Sequence, residues 1–168
     1  MPRDHSVLGE GTDVGLIGGV AIAAYFLILD LIAGYPFRTP SVLGQVVLFG
    51  NPDPVLTVRD PAAIAAYTVF HFVLFILLGM ALVKIVHLAT TSSVIRFALL
   101  PLFLAFEVFF YGVIVMLSER TSELFPLWTV IVANTLAALA MGITLWVRHP
   151  AFRQSLTRTP FGAASDSE

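Results

Sequence analysis

Four long apolar stretches, separated by short polar breaks, dominate the pattern of this chain: Val14–Gly34, Ala62–Val83, Val94–Leu117 and Phe125–Val147. They run 21, 22, 24 and 23 residues. About 20 helical residues at 1.5 Å each cross the ~30 Å hydrocarbon core of a bilayer. Each stretch is long enough for one crossing, and a crossing segment satisfies its backbone internally only as a helix. The pattern therefore predicts an all-α integral membrane protein: four antiparallel transmembrane helices running up, down, up and down. The first stretch does not read as a cleaved leader, because its apolar run is too long and three acids outnumber one Arg in the preceding tail.

The breaks fit this plan. Pro61 precedes the second stretch and Pro126 opens the fourth, both suited to a first helical turn. Ser92 and Ser93 can cap the third stretch, which Pro101 kinks. His149-Pro150 ends the fourth, and residues 151–168 form a polar, Ser/Thr-rich tail expected to be flexible. The connection 35–60 is longer than a turn requires. Its apolar run Val42–Phe49 follows Thr39-Pro40-Ser41. This reads as a short amphipathic helix capped by Ser41, lying on the outer membrane surface as a lid.

Composition narrows the chemistry. The chain is 58% hydrophobic and 12% charged, about half the usual charge of a soluble domain. Its 168 residues leave room for a single domain. A formal charge of −2 provides no basic field for nucleic acid. The absence of cysteine removes disulfides, thiolate metal sites, iron–sulfur clusters and cysteine nucleophiles. With the N-terminus inside, Arg3, Lys84, Arg96, Arg148, Arg153 and Arg158 face the cytoplasm, and only Arg38, Arg59 and Arg120 face out. That asymmetry predicts a multi-pass protein of a cell membrane, such as a cell inner membrane, with both termini cytoplasmic.

Ionisable groups inside a crossing are costly, so each is a candidate site. Asp30, His71 and Glu107 qualify, and Asn134 joins them as an uncharged polar group. By the 1.5 Å rise, His71, Glu107 and Asn134 lie about 13–15 Å deep at one level, whereas Asp30 is some 8 Å shallower. At 100° per residue, Tyr67 shares a face with His71, Tyr111 with Glu107, and the small residues Ala137 and Ala138 with Asn134. An intramembrane polar cluster of Asp30, His71, Glu107 and Asn134, with Tyr67 and Tyr111 as accessories, is the expected arrangement. A neutral Glu107 bonded to His71 or Asn134 could simply fix helix register, and a capping role is sufficient for Asp30. On the first helix, Gly15, Gly19 and Ala23 form a small-residue stripe suited to close helix packing.

No nucleophile–base arrangement and no phosphate-binding glycine loop emerges. Haem or a divalent metal has possible ligands in His71, His87 and His149. However, His71 lacks an opposite His, and the other two read as interfacial. No cofactor is therefore expected. The leading expectation is a non-enzymatic subunit or helper of a membrane assembly. Its partners would be the lipid bilayer and either copies of itself or other membrane subunits. The alternatives are a small transporter or proton/cation channel built on Glu107, His71 and Asn134, and a haem- or metal-binding membrane protein.

Overall fold

The computed structural model describes residues 7–57, 59–89, 108, 111–112 and 125–148. Among them the structure is all-helical, with no strand. Helix α1 spans Val7–Ile32. A short helix, α2, spans Arg38–Leu43 and runs directly into one π turn, Gly44–Leu48. Helix α3 spans Pro61–Ala89 and α4 spans Leu127–Arg148. The expected third crossing, 94–117, lies outside the described residues except for residues 108, 111 and 112, which are helical. Glu107, Ser92, Ser93, Pro101, His149 and the tail 151–168 also lie outside them.

Among the described residues three helices, α1, α3 and α4, are long and apolar enough to cross a membrane. A multi-pass membrane protein is the class these helices suggest. Large apolar side chains on them point outward, among them Val69, Leu77, Leu139 and Ile143. That distribution suits a lipid surround and would be ruinous in water. Threonine hydroxyls on these helices return to their own backbone: Thr12 donates to the Leu8 carbonyl, Thr68 to Ile64 and Thr144 to Ala140, at 2.7–2.8 Å. The i−4 carbonyl satisfies a hydroxyl where no water is available.

Helix α1 is the centre of the described packing, with α3 and α4 both antiparallel to it. The order of the contacts shows this. Gly11 meets Met80, Gly15 meets Phe75 and Ile76, and Gly19 meets Phe72, so the α3 number falls as the α1 number rises. On the other side Gly18 meets Met141 and Asp13 pairs with Arg148. A Cβ on Gly15 would overlap the Phe75 carbonyl and the Ile76 Cα, and one on Gly79 would overlap the Gly11 carbonyl and the Gly15 nitrogen. The two backbones are therefore in direct contact, which only glycine permits.

Two boundaries differ from the hydropathy reading. Helix α1 begins at Val7, two turns before Val14, because Gly11 continues the four-residue glycine spacing and packs on Met80 of α3. Helix α3 continues past Val83 to Ala89: Val83 and Val86 are buried in a core cluster with Val14, Met141 and Leu145. Lys84, at an exposed position between them, is simply carried along on the helix.

The connection between α1 and α3 does not lie flat. Val42, Leu43 and Val46 are buried with Phe125 and Val130, and Phe26, Leu56, Tyr67 and Tyr111 pack around them. Gly44 seats the π turn directly against the Ala63 backbone. The apolar run expected to face the bilayer surface is instead a plug in one end of the bundle. Ser41 is not its N-cap either. The helix starts earlier, after Phe37, whose left-handed φ of 64° turns the chain back toward α1. Ser41 is in the helix body, where its hydroxyl accepts the Asp60 N–H at 3.0 Å.

Candidate functional site

Asp30 is the polar anchor of the plugged end. Phe37, at the N-cap position of α2, contributes no side-chain bond. Asp30 supplies one from the end of the preceding helix. Its Oδ2 accepts the Thr39 backbone N–H at 2.7 Å, and its Oδ1 accepts the Thr39 hydroxyl at 2.9 Å. Thr39 is two positions past the cap, where a helix has an orphan donor. The Arg38 guanidinium, with Nε 3.9 Å from Oδ1, adds a counter-charge. The carboxylate is 2% exposed, yet both oxygens are satisfied. This is the condition a buried charge must meet.

A second set of bonds ties the plug to the rest of the connection. Gln45 Nε2 donates to the Ser41 carbonyl at 3.3 Å, and Gln45 Oε1 accepts the Val55 N–H at 3.0 Å. Asp60 then caps α3, its Oδ1 accepting the N–H groups of Ala62 and Ala63 at 2.9 and 3.1 Å. With Asp60 at the cap and Pro61 at the first position, α3 starts as such helices commonly do.

His71 is deeper. Its Nε2 is 3.0 Å from the Gly19 carbonyl on α1. A carbonyl only accepts, so Nε2 is the donor in this contact. The ring stacks on Tyr67 at 5.9 Å between centroids, lies 4.8 Å from Phe75 and meets Phe72 edge-on at 5.4 Å. Gly19 lacks a side chain that would cover this carbonyl, so the glycine that allows close packing also exposes the acceptor.

Asp30, His71 and Asn134 all line one cavity of about 400 Å³ between α1, α2, α3 and α4, and Tyr67 lines it too. On that wall Asp30 and His71 are bonded to different partners, Thr39 and Gly19. Gly19, which takes His71, is eleven residues before Asp30, or about 16 Å along α1. The two ionisable groups therefore sit toward opposite ends of the cavity. Asn134 is buried on α4 beside Ala133 and Ala137. Tyr111 packs on the plug. Glu107, placed by its sequence at the level of His71, lies outside the described residues.

Of the small-residue stripe, Gly15 and Gly19 pack against α3, whereas Ala23 is exposed to the cavity. The tightest stripe is shifted by one turn, to Gly11, Gly15 and Gly19, with Gly79 facing it. His87 is near the far end of α3, sixteen residues or about 24 Å from His71, so these two cannot serve one haem. Among the described residues no three His, Asp or Glu side chains gather as metal ligands.

Thr39, Gln45, Asp60, Gly11 and Gly79 all matter here and were not singled out as site or packing residues by sequence. Asp60-Pro61 carries a readable cap signal, and Gly11 is one more four-residue step before Gly15. Thr39 and Gln45 carry no such signal, because their partners are set by how the connection folds back. No protein family, no curated protein and no solved structure matches this chain.

Proposed function

We propose that this chain is a non-enzymatic, multi-pass subunit or helper of a membrane assembly, with both termini on the cytoplasmic side of a cell membrane. One observation carries the reading. Asp30 and His71 are both bonded to neighbouring backbone, Asp30 to the Thr39 N–H and His71 to the Gly19 carbonyl. Groups used in this way hold a plug and a helix pair in register. They are not presented to each other as an acid–base or ion-relay pair. The wide apolar flanks of α1, α3 and α4 supply the surface on which lipid, a second copy or another membrane subunit would pack.

The test is purification from native membranes in a mild detergent without crosslinker, followed by native mass measurement. A defined oligomer or a stoichiometric membrane partner is expected. A monomer that conducts protons or cations in liposomes, with a flux abolished by His71→Phe, would overturn the subunit reading in favour of transport. Orientation follows from the Lys/Arg asymmetry. Reporters fused after Glu168 and inserted near Asn51 should report opposite sides, with Glu168 cytoplasmic.

A further inference from the structure

Charge marks two levels on the crossing helices. On α4, Arg148 lies 20 residues after Trp128. On α1, Asp13 lies 20 residues before Ala33, and on α3, Lys84 lies 21 residues after Ala63. Each interval is about 30 Å along a helix, the thickness of the hydrocarbon core. Among the described residues of α1, α3 and α4, the only Asp, Glu, Lys or Arg between those levels is Asp30. It is buried, with both oxygens satisfied. Asp13 and Arg148 pair at one boundary. The other boundary therefore falls at Ala33, Ala63 and Trp128, which is the plugged end. Asp30 is three residues before Ala33, so Thr39, bonded to it, lies about 5 Å inside that boundary.

Four exposed aromatic rings sit at this level. Tyr35 and Phe37 lie between α1 and α2, Phe49 follows the π turn, and Trp128 is in the first turn of α4. Phe37 and Phe49 thus bracket the plug, whose Val42, Leu43 and Val46 face the bundle. The apolar flanks run up to these rings, with Leu31 and Ile32 exposed on α1 and Leu127 and Ile131 on α4. Such rings favour the layer where hydrocarbon meets headgroups, Tyr and Trp above all. Non-helical backbone at this depth is tolerated where protein satisfies it. Here the Thr39 N–H goes to Asp30, the Val55 N–H to Gln45 and the Asp60 N–H to Ser41. We infer that the plug is a shallow re-entrant segment of one leaflet, and that its rim of Tyr35, Phe37, Phe49 and Trp128 binds the glycerol–headgroup layer of the phospholipids. The inference rests on the membrane-spanning reading of α1, α3 and α4 and is independent of the subunit role.

The test reads tryptophan depth in the full chain, reconstituted in phosphatidylcholine liposomes. The quenchers are phosphatidylcholine brominated at acyl carbons 6 and 7, the same lipid brominated at carbons 11 and 12, and iodide on both sides of the membrane. Trp146→Phe leaves Trp128 as the reporter. It should lose about twice as much fluorescence to the shallow bromines as to the deep ones, as a ring at the boundary does. Phe49→Trp, in a chain that also carries Trp128→Phe and Trp146→Phe, should give the same order. In that background Asp53→Trp, past the rim, should respond to iodide alone. Leu139→Trp, about 16 Å along α4 from Trp128, should reverse the order and respond most to the deep bromines. Quenching of Trp128 or of the Phe49→Trp chain by iodide and not by bromine would put the rim in water and overturn the proposal. Shielding of Trp128 from all three quenchers would overturn it too, since another protein chain would then cover the rim. If Leu139→Trp also ignores both bromolipids, the membrane-spanning reading falls, and the proposal with it. Trp128 is a native residue, so its profile decides the question even where another variant fails to fold.

Discussion

The two ends of helix α1 are held by opposite means. Around Gly11, Gly15 and Gly79 the α1 and α3 backbones touch, and the close contact itself fixes the geometry. Around Asp30 the chain is held by a buried carboxylate, a borrowed helix cap and an amide tying loop to plug. Between these ends lies the cavity. In lipid, apolar surface gains little by meeting other apolar surface, so packing must come from close fit and dispersion. That works where glycines remove the side chains. It does not work where a connection has to fold back with exposed N–H groups, and there hydrogen bonds take over. The contact end should therefore respond to added volume and the Asp30 end to removed polar atoms.

The largest effect is expected from volume. Gly15→Ala places a methyl group on the Phe75 carbonyl and the Ile76 Cα, and neither can rotate away. The helices must separate, at a cost of about 3 kcal/mol. Gly19→Ala is the control at the same face. Its methyl meets the Phe72 ring at 3.1–3.2 Å and the Phe75 Cβ at 3.3 Å, side-chain contacts that a shift of a few tenths of an ångström relieves. The helix-propensity gain of about 0.8 kcal/mol offsets the crowding, so the net change should be close to zero. Thermal unfolding in micelles checks both, and equal effects would mean that the backbones are not in contact at Gly15.

Next comes the removal of the carboxylate. Asp30→Ala leaves the buried Thr39 N–H and hydroxyl without acceptors, at a cost of about 2–3 kcal/mol. The loss should be local. Hydrogen exchange should quicken across 38–48 while α3 between Phe72 and Val83 stays protected. Asp30→Asn keeps an amide oxygen for the Thr39 N–H and should retain about half of the stabilisation. If both substitutions leave exchange in 38–48 unchanged, the plug is held by Val42, Leu43 and Val46 alone.

These contrasts also show what could be read from the chain and what could not. The crossings were legible because their signal is composition over twenty residues, which α1, α3 and α4 display. The glycine stripe was legible in part: Gly15 and Gly19 stand out inside an apolar run, whereas Gly11 sits among Glu10, Thr12 and Asp13 and resembles a tail. Asp30 could be recognised as costly, and a capping role could be named for it. Its partner could not, because Thr39 reaches it only after Phe37 takes a left-handed turn. The plug was misplaced for a related reason. An apolar run after Ser41 fits a helix on the membrane surface as well as one buried among Phe26, Phe125 and Val130, and only tertiary contacts distinguish the two.

A smaller effect tests the cap of α3. Asp60→Ala frees the Ala62 and Ala63 N–H groups at the start of the helix, where Asp60 now accepts both. The expected loss is about 1 kcal/mol. It is smaller than the loss at Asp30 because the Asp60 to Ala62 bond is exposed and water can substitute. Asp60→Ser should recover most of it, since a serine hydroxyl also caps. Chemical denaturation of the wild type and the two variants under one condition gives the order, and a Ser variant as weak as Ala would show that the charge matters and the cap bond does not.

The smallest effect belongs to the ion pair that closes the glycine end, Arg148 Nη1 to Asp13 Oδ2 at 2.7 Å. It joins residues 135 positions apart and holds the last turn of α4 to α1, so it appears decisive on geometry alone. Its surroundings argue otherwise. The two side chains are 40% and 55% exposed, and exposed pairs contribute about 0–1 kcal/mol because solvent screens them and both long side chains lose freedom. The close backbone contact a few residues away is already sufficient to fix α1. Arg148→Ala should therefore cost less than about 1 kcal/mol, and that cost should shrink further when salt is raised from 0.05 to about 0.5 M, where screening shortens the reach of charge. Val14, Met141 and Leu145, buried just inside the pair, should keep their packing throughout. A loss as large as that of Gly15→Ala would mean that the pair is shielded from solvent, and that this end of the bundle depends on charge as much as on contact.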